Sequence, residues 1–330
     1  TSIFIGGGTP SLLSGEQIGQ LMDRIREQFA MAQDAEITME VNPGTASAEK
    51  LRNFYTAGIN RLSIGMQSAQ AEELKNLGRI HDFEGFCQVY REAVEAGFTN
   101  INVDIMSGLP GQTLASYRDT LEKVLHLEPM PQHISAYSLI VEEGTPFAAM
   151  AERGELPLPE EETERAMYEE TIEVLAKYGF HRYEISNYAR DGYECRHNVG
   201  YWIRRDYLGF GIGAASLIDN VRFQNEKSLG AYLAHPLESR EEEQTLTVQD
   251  RMEETMFLGL RLTRGVSCVD FAEQYGRTVE EVYGEVIARN VADGLLTVTE
   301  RKENQKKDRF LALTKRGLDL SNYVMAQFLF

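Results

Sequence analysis

Each short β-forming run in the first 142 residues is apolar at one parity and polar at the other. Successive side chains of a strand point to opposite faces, so the runs split cleanly. Ile37, Met39 and Val41 oppose Thr38 and Glu40, and Leu62, Ile64 and Met66 oppose Ser63, Gly65 and Gln67. Ile101, Val103 and Ile105 oppose Asn102 and Asp104, and Ile134 and Ala136 oppose Ser135 and Tyr137. The runs, at 3–5, 36–41, 61–66, 99–106 and 133–141, are separated by amphipathic segments at 16–29, 48–57, 71–77 with 83–96, and 116–127. Strand and helix in regular succession predict parallel strands joined by right-handed crossovers. Parallel strands covered by helices on both faces read as continuous hydrophobic runs, and these do not. One face must meet helices and the other something polar. That predicts an α/β fold whose sheet curls into a barrel or part-barrel with a wet interior; an open sheet with one solvated face is the alternative.

The polar residues sit late in their runs. Glu40, Gln67 and Asp104, with the stretch from Gly6 to Thr9, fall at or near strand C-terminal ends, the rim on which barrel folds carry their sites. Four strands delivering polar groups to one rim predict a binding site there. The first strand ends in Gly6-Gly7-Gly8 and runs into Thr9-Pro10-Ser11. Glycine permits positive φ and close approach to the backbone, and Pro10 stops the strand. Exposed main-chain N–H groups of this kind suit a polar ligand. No Gly-Lys-Ser/Thr follows, so this is not a Walker loop.

A length of 330 residues accommodates one large domain and a small one. Three parts are expected: a part-barrel over 1–156, a linker helix and aromatic region over 157–244, and an α-rich C-terminal unit over 245–330. The middle part contains an irregular aromatic stretch at 183–223 and an acidic connector at 238–243. In the last part, helices at 249–260, 269–275, 279–292 and 316–325 and a hairpin between 295 and 313 suggest a winged helix. That unit has 12 basic and 13 acidic residues, too few cations for a DNA-binding wing, and reads as a scaffold or lid. The whole chain has a formal net charge of −18, which disfavours nucleic acid and anionic membrane surfaces. No run approaches the roughly 18 apolar residues of a membrane span, so an integral membrane protein is not expected. Cys87, Cys195 and Cys268 are few and scattered, as in a reducing cytoplasm.

Five motifs then follow one another: Gly6-Gly7-Gly8-Thr9-Pro10-Ser11, Glu40-Val41-Asn42-Pro43, Asn60 through Ser68, Leu77-Gly78-Arg79-Ile80-His81, and Asp104 through Gln112. Together they resemble the radical S-adenosylmethionine (SAM) enzymes of the oxygen-independent coproporphyrinogen III oxidase group, over nearly the whole chain. The resemblance implies that Gly7, Gly8 and Thr9 receive the amino group of SAM's methionine part. It implies that Glu40 accepts from the ribose hydroxyls, as an ionised carboxylate can, and that Gln67, Arg79 and Asp104 complete the SAM contacts. Arg79 suits a bidentate fork to a carboxylate; an internal salt bridge between Arg79 and Asp104 is the alternative. The family also holds a [4Fe–4S] cluster on a Cys-x3-Cys-x2-Cys loop. This chain lacks that loop, its cysteines lying 108 and 73 residues apart. The family places the loop after a first strand, ahead of the glycine motif, so the expectation is a six-stranded part-barrel whose first strand and cluster loop lie outside this chain.

Farther on, Cys195-Arg196-His197-Asn198-Val199-Gly200-Tyr201-Trp202 resembles the haem-chaperone branch of that family rather than its oxidases. A neutral imidazole at His197 is a haem-iron ligand by type, Cys195 is a second, and Tyr201 and Trp202 offer flat apolar surface. Alternatively Trp202, the chain's only tryptophan, anchors this segment while His197 caps a turn. Relatives often carry a histidine where Ala215 stands. The resemblance implies a SAM- and [4Fe–4S]-dependent haem carrier that serves apo-protein acceptors and associates as a homodimer. The other branch implies an oxidase, in which SAM yields a 5′-deoxyadenosyl radical that abstracts hydrogen from propionate side chains. A winged-helix regulator with a barrel sensor is a third reading, opposed by the acidic charge.

Overall fold

The computed structural model describes residues 1–236, 238, 240–303 and 306–329, without the side chains of 302, 303 and 306. The chain divides into two compact units, Thr1–His197 and Asn198–Phe330.

The first unit contains β1 (Ser2–Ile5), α1 (Gly15–Gln28), β2 (Glu36–Val41), α2 (Ala48–Thr56), β3 (Arg61–Gln67), α3 (Ala71–Asn76), α4 (Phe83–Glu95), β4 (Ile101–Ser107), α5 (Leu114–Leu125), β5 (His133–Ser138), α6 (Pro146–Glu152), α7 (Glu161–Lys177), β6 (His181–Arg182) and β7 (Asn187–Ala189). The helix α8 (Arg196–Trp202) carries the chain onward. The seven strands form one sheet in the order β1-β2-β3-β4-β5-β7-β6. Strands β1 to β5 pair in parallel in sequence order, as the strand-helix alternation predicts. β7 pairs antiparallel with β5, and β6 with β7.

The two strand faces part company as their parity requires. Ile37, Met39, Val41, Leu62, Ile64, Met66, Ile101, Val103, Ile105 and Ile134 belong to one core cluster, packed with Ile18 and Met22 of α1, Leu51 and Phe54 of α2 and Phe86 of α4. The opposite parity lines the interior of the part-barrel, where Thr38, Arg61, Asn102 and His133 are buried. Helix starts are fixed locally: the Ser14 and Thr113 side chains each form a reciprocal capping box with the residue three positions on, which satisfies orphan N–H groups of the first turn.

The second unit contains β8 (Ala215–Ile218), β9 (Val221–Asn225), α9 (Leu229–Ala234), β10 (Arg240–Thr245), α10 (Val248–Gly259), β11 (Val266–Ser267), α11 (Cys268–Tyr275), α12 (Val279–Ala292), β12 (Leu296–Glu303), β13 (Lys306–Leu313), α13 (Lys315–Asp319) and α14 (Ser321–Ala326). Its sheets run β10-β9-β8 and β11-β13-β12. Helix, short strand, two helices and a hairpin make the expected winged-helix-like arrangement; residues 304 and 305, within the predicted hairpin, lie outside the described residues. Within this unit Glu254 on α10 is buried and pairs with Arg204 and Arg222, each at 2.6 Å.

Three local expectations are corrected. The stretch 183–223 is not wholly irregular: it supplies β7, β8 and part of β9. The acidic connector at 238–243 overlaps β10, a mostly exposed edge strand paired with β9; edge strands tolerate charges that central strands exclude. The last helix breaks at Leu320 into α13 and α14.

Candidate functional site

An open pocket of about 200 Å3 lies at the C-terminal ends of the first unit's strands, lined by Gly8, Thr9, Glu40, Ser63, Gly65, Gln67, Arg79, Asp104 and Tyr137 among others. Six of the seven residues expected to contact SAM thus line one hollow. The seventh, Gly7, donates its backbone N–H to Glu40 Oε2 at 3.2 Å.

The glycine run shapes one wall. Gly7 and Gly8 both adopt positive φ, +78° and +74°, which favours glycine strongly. At Gly6 an added Cβ would stand 3.0 Å from the Glu40 carboxyl group, so the carboxylate occupies space that a side chain there would take. Burial pushes Glu40 above the ordinary carboxylate range, the Gly7 N–H draws it back, and Asp104 adds to the rise.

Gln67 ends β3 beside a register shift, at φ +67°, a conformation that is costly for a non-glycine residue and recurs at ligand sites. The Tyr137 hydroxyl donates to its Oε1 at 3.0 Å. A Cβ at Gly65 would come within 2.9 Å of Gln67 Nε2, so Gly65 leaves room for this amide. Tyr137 and Ser63 were not assigned to the site from sequence, although their strand parity, shared with Asp104, was the available signal.

Asp104 forms the floor. Asn102 Nδ2 donates to its Oδ1 at 2.7 Å, and Ser63 Oγ to its Oδ2 at 3.2 Å. Burial raises Asp104, while hydrogen bonds from Asn102, Ser135 and Ser63 and the charge of Arg61 oppose the rise. Among the described residues neither Arg79 nor Asp104 takes part in an ion pair. The salt-bridge alternative is therefore absent, and Arg79 lines the pocket without being paired to either of its carboxylates.

These groups fit SAM by their chemistry. The pocket offers carboxylate acceptors to a ribose diol and an ammonium group, a guanidinium to a carboxylate, and main chain at Gly8 and Thr9. The [4Fe–4S] cluster finds no such fit: no group of three His, Cys, Asp or Glu among the described residues could hold a metal ion. Cys87 is part-buried, Cys195 is buried, and Cys268 lies in the second unit.

The 195–202 segment begins at the other end of the strands. Glu36, the first residue of β2, accepts the backbone N–H groups of Arg196 at 3.0 Å and His197 at 3.1 Å. The His197 ring stacks on Phe4 with centroids 5.1 Å apart, and its Nδ1 lies 3.2 Å from Ser2 Oγ. Burial lowers its pKa, which keeps the imidazole neutral at pH 7. Cys195 is 0 % exposed, with Sγ 3.5 Å from Glu36 Oε1. In the second unit Tyr201 packs edge-on against Tyr207, and Trp202 lies under the Arg261 guanidinium at 4.3 Å. Trp202 Nε1 is buried without a hydrogen-bond partner, beside a cavity of about 430 Å3 that Ile203, Leu262, Val266, Phe271 and Phe310 also line.

Residues 1–124 match the Radical SAM superfamily and residues 246–320 the HemN C-terminal domain. A Bacillus subtilis protein named heme chaperone HemW is 39% identical, over 99% of this chain and 85% of that one. The chain belongs to the HemW family of radical SAM proteins. Another HemW, from Lactococcus lactis, is 36% identical over 99% of this chain and 84% of its own length. Among solved structures, coproporphyrinogen III oxidase (HemN) from Escherichia coli superposes with a TM-score of 0.81 at 26% identity, over 99% of this chain and 77% of that one. Membership of the superfamily implies SAM and a [4Fe–4S] cluster. No described helix is long and apolar enough to cross a membrane.

Proposed function

We propose that this protein binds haem and hands it to apo-protein acceptors, with SAM seated in the strand-end pocket as a supporting cofactor. The observation that carries this reading is near-full-length similarity to proteins named heme chaperones, in a chain whose SAM-type side chains share one pocket. Glu40 holds the ribose hydroxyls, Arg79 the methionine carboxylate, and Asp104 with the Gly8–Thr9 backbone the ammonium group. Gln67, fixed by Tyr137, orients the adenosine part. Bound SAM supplies a sulfonium centre that can accept an electron. Haem, the cargo, is assigned to the His197–Trp202 segment. His197 is the preferred iron ligand over Cys195, because the thiol is fully buried and an iron ligand needs access.

Haem titration followed by the Soret band tests this. His197→Ala is expected to weaken or shift the band, and Trp202→Ala to lower affinity. An unchanged titration in His197→Ala would remove that residue from the haem site. The oxidase reading draws on the structural likeness to the E. coli coproporphyrinogen III oxidase; the lower identity to that protein, 26% against 39%, favours the carrier.

A further inference from the structure

Beneath the pocket, the inward side chains of β3, β4 and β5 are tied into a buried network whose hydrogen directions can be worked out atom by atom. Asn102 Nδ2 lies 2.7 Å from Asp104 Oδ1 and 2.7 Å from Ser63 Oγ. An ionised Asp104 only accepts, and in that state the Asn102 amide presents its NH2 to Asp104 and its carbonyl oxygen to the other side. There His133 Nδ1 lies 2.6 Å from Asn102 Oδ1. Nδ1 must therefore carry a proton. Burial holds His133 well below its ordinary pKa, and the Arg61 charge adds to this. The ring is neutral, and its Nε2 is an acceptor. Tyr183 OH, 2.9 Å away, is then the donor to Nε2, and its oxygen accepts the backbone N–H of Cys195 at 3.3 Å.

Every donor in this line points the same way: Cys195 N–H to Tyr183, Tyr183 O–H to His133, His133 Nδ1–H to Asn102, Asn102 N–H to Asp104. Bonds aligned head to tail polarise one another in a low-dielectric interior. Their summed effect falls on the last acceptor, the Asp104 carboxylate. We propose that Tyr183 and His133 are positioning residues that hold the Asp104 carboxylate ionised and aimed into the pocket through Asn102. The relevance to cofactor binding rests on reading the pocket as the SAM site.

Asp104 is also faced by Glu40 from β2, Ser63 and Arg61 from β3, Ser135 and Tyr137 from β5, and Arg79 from the loop after α3. Of these, Arg61 also lies within electrostatic reach of Tyr183. Arg61 is 2% exposed, with one side-chain contact at 3.5 Å to Thr38 and no partner for Nε. It supplies a fixed positive field from below, whereas the relay supplies direction.

The test is the carboxyl titration of Asp104 in the full chain, read by 13C NMR of labelled aspartate and assigned with Asp104→Asn. In Tyr183→Phe the ring stays and the donor is lost. Its Asp104 midpoint is expected to rise by roughly 0.2–0.6 of a pH unit, the scale of cooperative strengthening across one link. The acid limb of S-adenosylhomocysteine binding is expected to move with it. His133→Gln, whose amide can still donate to Asn102, should keep a midpoint near wild type. A folded Tyr183→Phe with an unmoved midpoint overturns the proposal. Independently of any variant, 15N NMR of the native protein at pH 7 to 8, above the ordinary imidazole value, should find His133 as the neutral Nδ1–H tautomer; an Nε2–H tautomer also overturns it. Failure of S-adenosylhomocysteine to bind the native protein would remove the SAM reading alone, because the aspartate titration does not depend on it.

Discussion

Glu40 and Asp104 share one pocket, and burial lifts both above their ordinary values of 4.5 and 3.8. In the proposed SAM site both serve as ionised acceptors, so on that reading affinity is lost as pH falls through the raised values. The loss begins at a higher pH than exposed carboxylates would give. Calorimetric titration with S-adenosylhomocysteine should show constant affinity on the alkaline side and a steady decline on the acid side. In Glu40→Gln the share of that decline due to Glu40 disappears, with a loss of roughly ten- to hundredfold at neutral pH, the range for a hydrogen bond to a charged group. Unchanged affinity in Glu40→Gln would separate Glu40 from the ligand. The sign for stability is opposite: a carboxyl raised by burial costs folding energy while ionised, and that cost is relieved as pH falls through its folded-state value.

At the scale of elements, the start of α8 depends on a residue 160 positions away. The Glu36 carboxylate receives the N–H groups of Arg196 and His197, which no helical carbonyl can reach, and sets a negative charge at the positive end of the helix. Glu36→Ala leaves both donors without this acceptor. The expected cost is roughly 1–3 kcal/mol, with faster hydrogen exchange at residues 196 and 197 and a lower melting temperature. Glu36→Gln, which keeps an acceptor oxygen, should fall between the two. Protection at 196 and 197 equal to wild type in Glu36→Ala would show that the helix start is held by other contacts. Should the 195–202 segment carry haem, the same variant also weakens haem binding without touching the pocket.

For the whole molecule, the fold is shared with an oxidase and the nearer similarity is to haem chaperones, so activity separates the two. A full-length protein carrying the family's cluster loop, reconstituted anaerobically with iron–sulfur cluster, SAM and reductant, is expected not to convert coproporphyrinogen III; turnover at enzyme-like rates would install the oxidase reading. Much of this architecture was legible from the chain. Strand parity is a local property, set by alternating side-chain direction, and it revealed the helix-facing core, the polar interior and the rim carrying Glu40, Gln67 and Asp104. Short strands recruited by distant partners were not legible: β7 exists because β5 offers it an edge, and the acidic β10 because β9 does. Composition, periodicity and motif order were therefore decided along the sequence, where neighbouring residues impose them. Only the tertiary structure could seat Tyr183 against His133, Glu36 beneath Arg196 and Arg79 beside Asp104, because such contacts depend on where the part-barrel sheet brings residues that the chain itself keeps far apart.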